Sequence, residues 1–176
     1  MNGVSAPETP AYRALQPVSL CLQVLLLVVA EVMLFVSYGA HEAQFHWATH
    51  FLVALTAAAI FLLAWLLRTG APGPRLLLLP VLGFHLYAMT PDLLFRVGVP
   101  HAAWMEVFLG HLSVHHLPGG DRSWLVLALT CSAGYAAALS LWLRARWTEA
   151  LAGVSPDVAC TGMAALRPIA RSSVPR

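Results

Sequence analysis

Eight histidines stand in this chain of 176 residues, all between positions 41 and 116. His46-x-x-x-His50 and His111-x-x-x-His115 each put two imidazoles one helical turn apart, close enough to share a ligand. Glu42 extends the first ladder by a further turn. His85 and Asp92 are seven residues apart and share a helix face with Met89 between them. On a continuous helix, His101, Trp104, Phe108, His111 and His115 form one stripe and Glu106 points away. Neutral imidazole is the commonest ligand for zinc, copper and iron, and a carboxylate completes many such sites. The candidate metal ligands are therefore His46, His50, His85, Asp92, His101, His111 and His115.

A bound divalent ion would activate water for hydrolysis, and a carboxylate must then accept the proton. Glu42 is the candidate for that base because it shares the His46/His50 face. Zinc is the ion expected first. Copper is an alternative, with Met33, Met89 and Met105 as soft ligands. Heme is another, held between His50 and His111 or His115, and noncovalently, because no C-x-x-C-H sequence is present. Plainer roles stand beside these. His41, His101 and His116 suit an interface where amphipathic side chains reach toward water. His85 suits a hydrogen-bond bridge between helices, and Glu31 a bridge to Gln23 or a neighbouring helix. Enzyme, metal-binding protein and structural subunit all stay open at this point.

The chain that must position these groups is 59% hydrophobic and 10% charged. Average usage in soluble domains is about 25% charged, so water is the wrong solvent for this surface. A formal net charge of +2 provides no basic face for nucleic acid. Every basic residue is Arg, which with the abundance of Ala and Leu suggests a GC-rich bacterial genome. Cys21, Cys131 and Cys160 show no ligand spacing, and they read as small apolar residues.

Four apolar segments have the length of about 20 residues that a helix needs to cross a bilayer. They are Val18–Ser37, Trp47–Leu67, Arg75 or Leu76 to Phe95, and Trp124–Leu143. The third contains Pro80 and Pro91, which predict kinks. Residues 99–118 are too short and too polar to cross, and their periodicity predicts an interfacial or re-entrant helix. The fold class is thus an all-α, polytopic membrane protein with four transmembrane helices plus one short interfacial or re-entrant helix. Residues 1–17 form a flexible leader, 18–147 the bundle, and 148–176 a disordered cytoplasmic tail.

Arg13, Arg68, Arg75, Arg144 and Arg146 flank the spans on one side, and the loop at 38–46 contains no Arg. The positive-inside rule places both termini in the cytoplasm of a multi-pass inner-membrane protein. The histidines then gather on the extracytoplasmic side. Trp47, Trp104 and Trp124 form an outer aromatic belt, with Trp142 and Trp147 at the inner face. Gly134 to Ala138 predicts close helix packing, within the chain or in a homodimer. The expected partners are the lipid bilayer and either a second copy or a membrane-complex subunit.

Thr49-His50 opening a span, Pro91-Asp92 closing another, and His101 with further histidines together resemble the bacterial membrane-bound metal-dependent hydrolases. That resemblance covers residues 49–116 and implies His50, Asp92, His101 and one of His111 or His115 as ligands. An H-R-G-x-T-H-S-type sequence is absent, and Asp92 is followed by Leu93-Leu94. Ser37-Tyr38-Gly39-Ala40-His41 through His50 is similar to the histidine-bearing spans of factors that deliver copper to cytochrome oxidase. That second resemblance implies copper binding.

Overall fold

The computed structural model describes residues 15–38, 44–100 and 102–152, without the side chains of 37, 38, 44–46, 115 and 150–152. Every regular element among these residues is a helix: α1 Pro17–Tyr38, α2 Gln44–Thr69, α3 Leu79–Arg96 and α4 Asp121–Ala152. Two short 3-10 helices, Ala103–Val107 and Ser113–His116, lie between α3 and α4. The chain divides into two compact units, Met1–Leu139 and Ser140–Arg176, and every feature of the site belongs to the first. In the second, Arg146 hydrogen-bonds Glu149 at 3.0 Å and lies over the Trp142 ring.

Three segments are long and apolar enough to cross a membrane: Pro17–Val36, Trp47–Thr69 and Asp121–Glu149. The expected third span is not among them. Its helix, α3, has 18 residues and carries His85, Asp92 and Arg96. Pro80 does not interrupt it. The chain over 70–78 is a turn region, α3 starts at Leu79, and Pro80 sits in the first turn, where its missing N–H is not needed. Pro91 is inside the helix and fully buried.

α2 forms the spine of the bundle. His50, Ala54, Ala58, Leu62 and Leu66 recur every fourth residue and are all buried. Ala54 and Ala58 have no exposed surface, so α3 approaches the α2 backbone closely, with its own Ala88 equally enclosed. α3 in turn buries Val81, His85, Ala88, Met89, Pro91 and Asp92. Its opposite face, with Leu79, Leu86, Tyr87, Leu93 and Phe95, is apolar and exposed. α1 exposes nearly all its large side chains and touches its neighbours through Phe35, edge-on to Trp47 at 5.4 Å, and through two polar groups. Gln23 accepts the Leu78 backbone N–H at 3.0 Å, and Glu31 pairs with His85.

The segment expected as one continuous interfacial helix is instead two 3-10 helices separated by a reversal. Leu109 (φ 54°) and Gly110 (φ 70°) are both left-handed, which no α-helix passes through. The turn is fastened locally: Ser113 donates to Glu106 at 2.9 Å, Tyr87 donates to the Val107 carbonyl at 2.8 Å, and Trp124 donates to the Val114 carbonyl at 2.9 Å. Glu106 therefore closes the loop on itself. The His101-to-His115 stripe does not exist as a helix face.

Candidate metal centre

Three of the predicted ligands converge. His50 comes from the first half of α2, Asp92 from the end of α3, and His111 from the reversal between the 3-10 helices. His50 Nε2 is 3.1 Å from Asp92 Oδ2, and His111 Nε2 is 3.5 Å from Asp92 Oδ1. The two imidazoles stack almost parallel, their centroids 4.9 Å apart and their planes 8° apart. One ligand atom from each residue lies within 4.8 Å of the others. All three side chains are buried, at 1%, 9% and 3% exposure for His50, Asp92 and His111.

The local sequence explains the convergence. His50 and Asp92 lie on the buried faces through which α2 and α3 pack. His111 follows directly after the two left-handed residues, so the reversal turns its side chain inward. Gly110 is needed there, because a residue with a side chain resists a positive φ. The strain at Leu109 is held by the loop's hydrogen bonds, and it falls next to a buried polar cluster, where such strain tends to be found. Beside His50, the Thr49 hydroxyl donates a hydrogen bond to Asp121 at the start of α4. That bond ties the ligand-bearing turn of α2 to the fourth helix.

A buried carboxylate facing two imidazoles is costly unless positive charge or donated hydrogen bonds balance it. A divalent cation supplies that charge, and two nitrogens with one oxygen are a ligand set that zinc accepts. These three residues can hold a metal ion. The same geometry argues against heme between His50 and His111, since axial imidazoles lie on opposite faces of the macrocycle and these two lie on each other.

His85 goes elsewhere. Its Nδ1 is 2.7 Å from Glu31 Oε2, joining α3 to α1, and its ring meets Trp47 and Phe51 edge-on at 5.6 and 5.4 Å. His46 lies in α2 and His115 in the second 3-10 helix, both without described side chains. His41, Glu42 and His101 lie outside the described residues. His116 is exposed. Of the sulfur candidates, Met33 is exposed on α1, while Met89 and Met105 are fully buried. Asp121 is the residue sequence reasoning missed. It reads as a turn charge after Gly119-Gly120, and nothing in its spacing points to Thr49.

No family profile, curated protein or solved structure matches this chain.

Proposed function

We propose that this is an integral membrane protein that binds one divalent cation, zinc, through His50, Asp92 and His111. The observation that carries the reading is the meeting of three buried ligand atoms, from two helices and a strained loop, within 4.8 Å. Three protein ligands of this kind leave a further position for water or substrate, the arrangement of catalytic rather than structural zinc. Bound there, the ion would supply a water acidified toward neutrality, which is the chemistry of metal-dependent hydrolysis. The likeness to membrane-bound metal-dependent hydrolases supports this, since His50 and Asp92 of its two elements stand 3.1 Å apart.

All four helices cross the bilayer in this reading. α3 buries His85 and Asp92 and turns an apolar face outward, with Arg96 exposed in its last turn, so most of what lowers its mean hydropathy belongs to the interior and the helix end and not to the lipid surface. At 18 residues it spans about 27 Å, near the thickness of the hydrocarbon core. With both termini cytoplasmic, the metal opens toward the extracytoplasmic face of the inner membrane, and the substrate is periplasmic or lipid-linked.

The test is elemental mass spectrometry on detergent-purified protein carrying an affinity handle other than polyhistidine. Near-stoichiometric zinc is expected in the wild type, with loss in His50→Ala and in His111→Ala. Protein that stays metal-free after reconstitution with zinc, copper and iron would overturn the reading.

A further inference from the structure

A groove of about 520 Å³ runs between α2 and α3 and takes no part in the metal centre. It is lined by Phe61 of α2, Pro74 of the turn before α3, and Leu79, Gly83, Phe84 and Tyr87 of α3. Phe61 meets Phe84 edge-on at 6.1 Å, and the Tyr87 hydroxyl is engaged by the Val107 carbonyl. The walls are thus hydrocarbon, and Phe61, Leu79 and Tyr87 are exposed. A glycine inside a helix costs up to about 1 kcal/mol relative to alanine. A Cβ at Gly83 would meet no atom within 4 Å, so packing between the helices does not require the glycine, and open space lies over it.

One end of the groove is basic. Arg75 follows Pro74 directly, and Arg68 stands seven residues after Phe61, on the same face of α2. Both are exposed, and among the described residues neither side chain has an ion pair or a hydrogen bond. No Asp or Glu occurs from residue 43 to residue 91. Two guanidinium groups at the end of an apolar groove suit an occupant with an anion at its head and hydrocarbon behind. A second copy docked through the same face would instead bring four arginines together with no carboxylate to offset them.

We propose that this groove binds an anionic phospholipid, one acyl chain along Phe61, Gly83 and Phe84 and the phosphate on Arg68 and Arg75. Guanidinium matches phosphate through paired N–H donors. With both termini cytoplasmic, Arg68 and Arg75 lie on the cytoplasmic side, where anionic lipids concentrate and basic pockets between helices take up their headgroups. The inference rests on the membrane reading and on nothing at the metal centre.

Native mass spectrometry of the full chain in detergent tests this, after delipidation and titration with phosphatidylglycerol or phosphatidylcholine of matched acyl chains. One phosphatidylglycerol per chain should be held about 30-fold more tightly than phosphatidylcholine, the effect of two arginines at a membrane surface. Arg68→Gln combined with Arg75→Gln should bring that preference close to unity and leave phosphatidylcholine binding as it was. Gly83→Leu fills the groove by growing into open space, so helicity and thermal midpoint should hold while both lipids are lost from the site. Equal affinity for the two lipids, a preference that survives the double arginine variant, or lipid binding indifferent to Gly83→Leu would each overturn the proposal. Recovery of the chain from the aqueous phase without detergent would overturn the membrane reading beneath it.

Discussion

α3 carries two imidazole–carboxylate clusters two turns apart, and they are built for different ends. At Asp92, two imidazoles from separate elements face one carboxylate at 3.1 and 3.5 Å, and the rings stack with their nitrogens turned toward a common point. At His85, one imidazole meets one carboxylate at 2.7 Å, closing a single hydrogen bond between α3 and α1. The first arrangement concentrates ligand atoms with room for a cation among them. The second leaves none, because the shared proton already occupies the space between the two groups. Residue types alone do not separate these cases. The number of elements that converge on the carboxylate does.

The sharpest way to break the contrast is to remove each carboxylate in turn. Asp92→Ala should weaken zinc binding by more than about 100-fold, beyond the effect of deleting an outer partner of a ligand. Glu31→Ala should leave zinc binding unchanged. Competition titration with a chelator reads both, and loss of zinc in the Glu31 variant would make the two clusters one site.

Next in size is the effect on stability. His85→Leu or Glu31→Leu alone strands a buried partner and should cost about 1–3 kcal/mol. The double variant should recover most of that, since an apolar pair of similar volume suits the interior. Denaturation of the detergent-solubilised protein measures this. A double variant as unstable as the sum of the singles would show that the pair does more than join α1 to α3.

Protons should also separate the clusters. Metal uptake at His50 and His111 needs both ligand nitrogens free of protons, so zinc affinity should fall as the pH is lowered and binding should release protons. Calorimetry in buffers of different ionisation enthalpy detects that release. It should persist in Glu31→Ala and shrink with the lost binding in Asp92→Ala. Smaller still is the support from Thr49. Thr49→Val removes the hydrogen bond to Asp121 and should weaken zinc affinity about tenfold without abolishing it.

How far the sequence foretells this depends on the element. α1, α2 and α4 are visible because their length and apolarity hardly depend on what they pack against. α3 is obscured because His85 and Asp92 face inward, and a sum along the chain cannot tell an inward Asp92 from an outward one. His50 and Asp92 are legible by type and by place at the ends of apolar segments. His111 is legible as a histidine, but it stands in the turn before the second 3-10 helix and not on a continuous α-helix. Helical periodicity over 99–118 gives no weight to one left-handed leucine beside Gly110, and that reversal is what brings His111 into the interior. The Glu31–His85 contact joins residues 54 apart and the Thr49–Asp121 contact residues 72 apart. Neither separation carries a local signal, so both emerge only from packing.

The most direct test is X-ray absorption at the zinc edge on the loaded protein, with Asp92→Ala as comparison. The expected spectrum shows nitrogen and oxygen neighbours at about 2.0–2.1 Å, with outer-shell scattering from imidazole and no sulfur. A sulfur shell, or a spectrum unchanged in Asp92→Ala, would contradict a centre built from His50, Asp92 and His111.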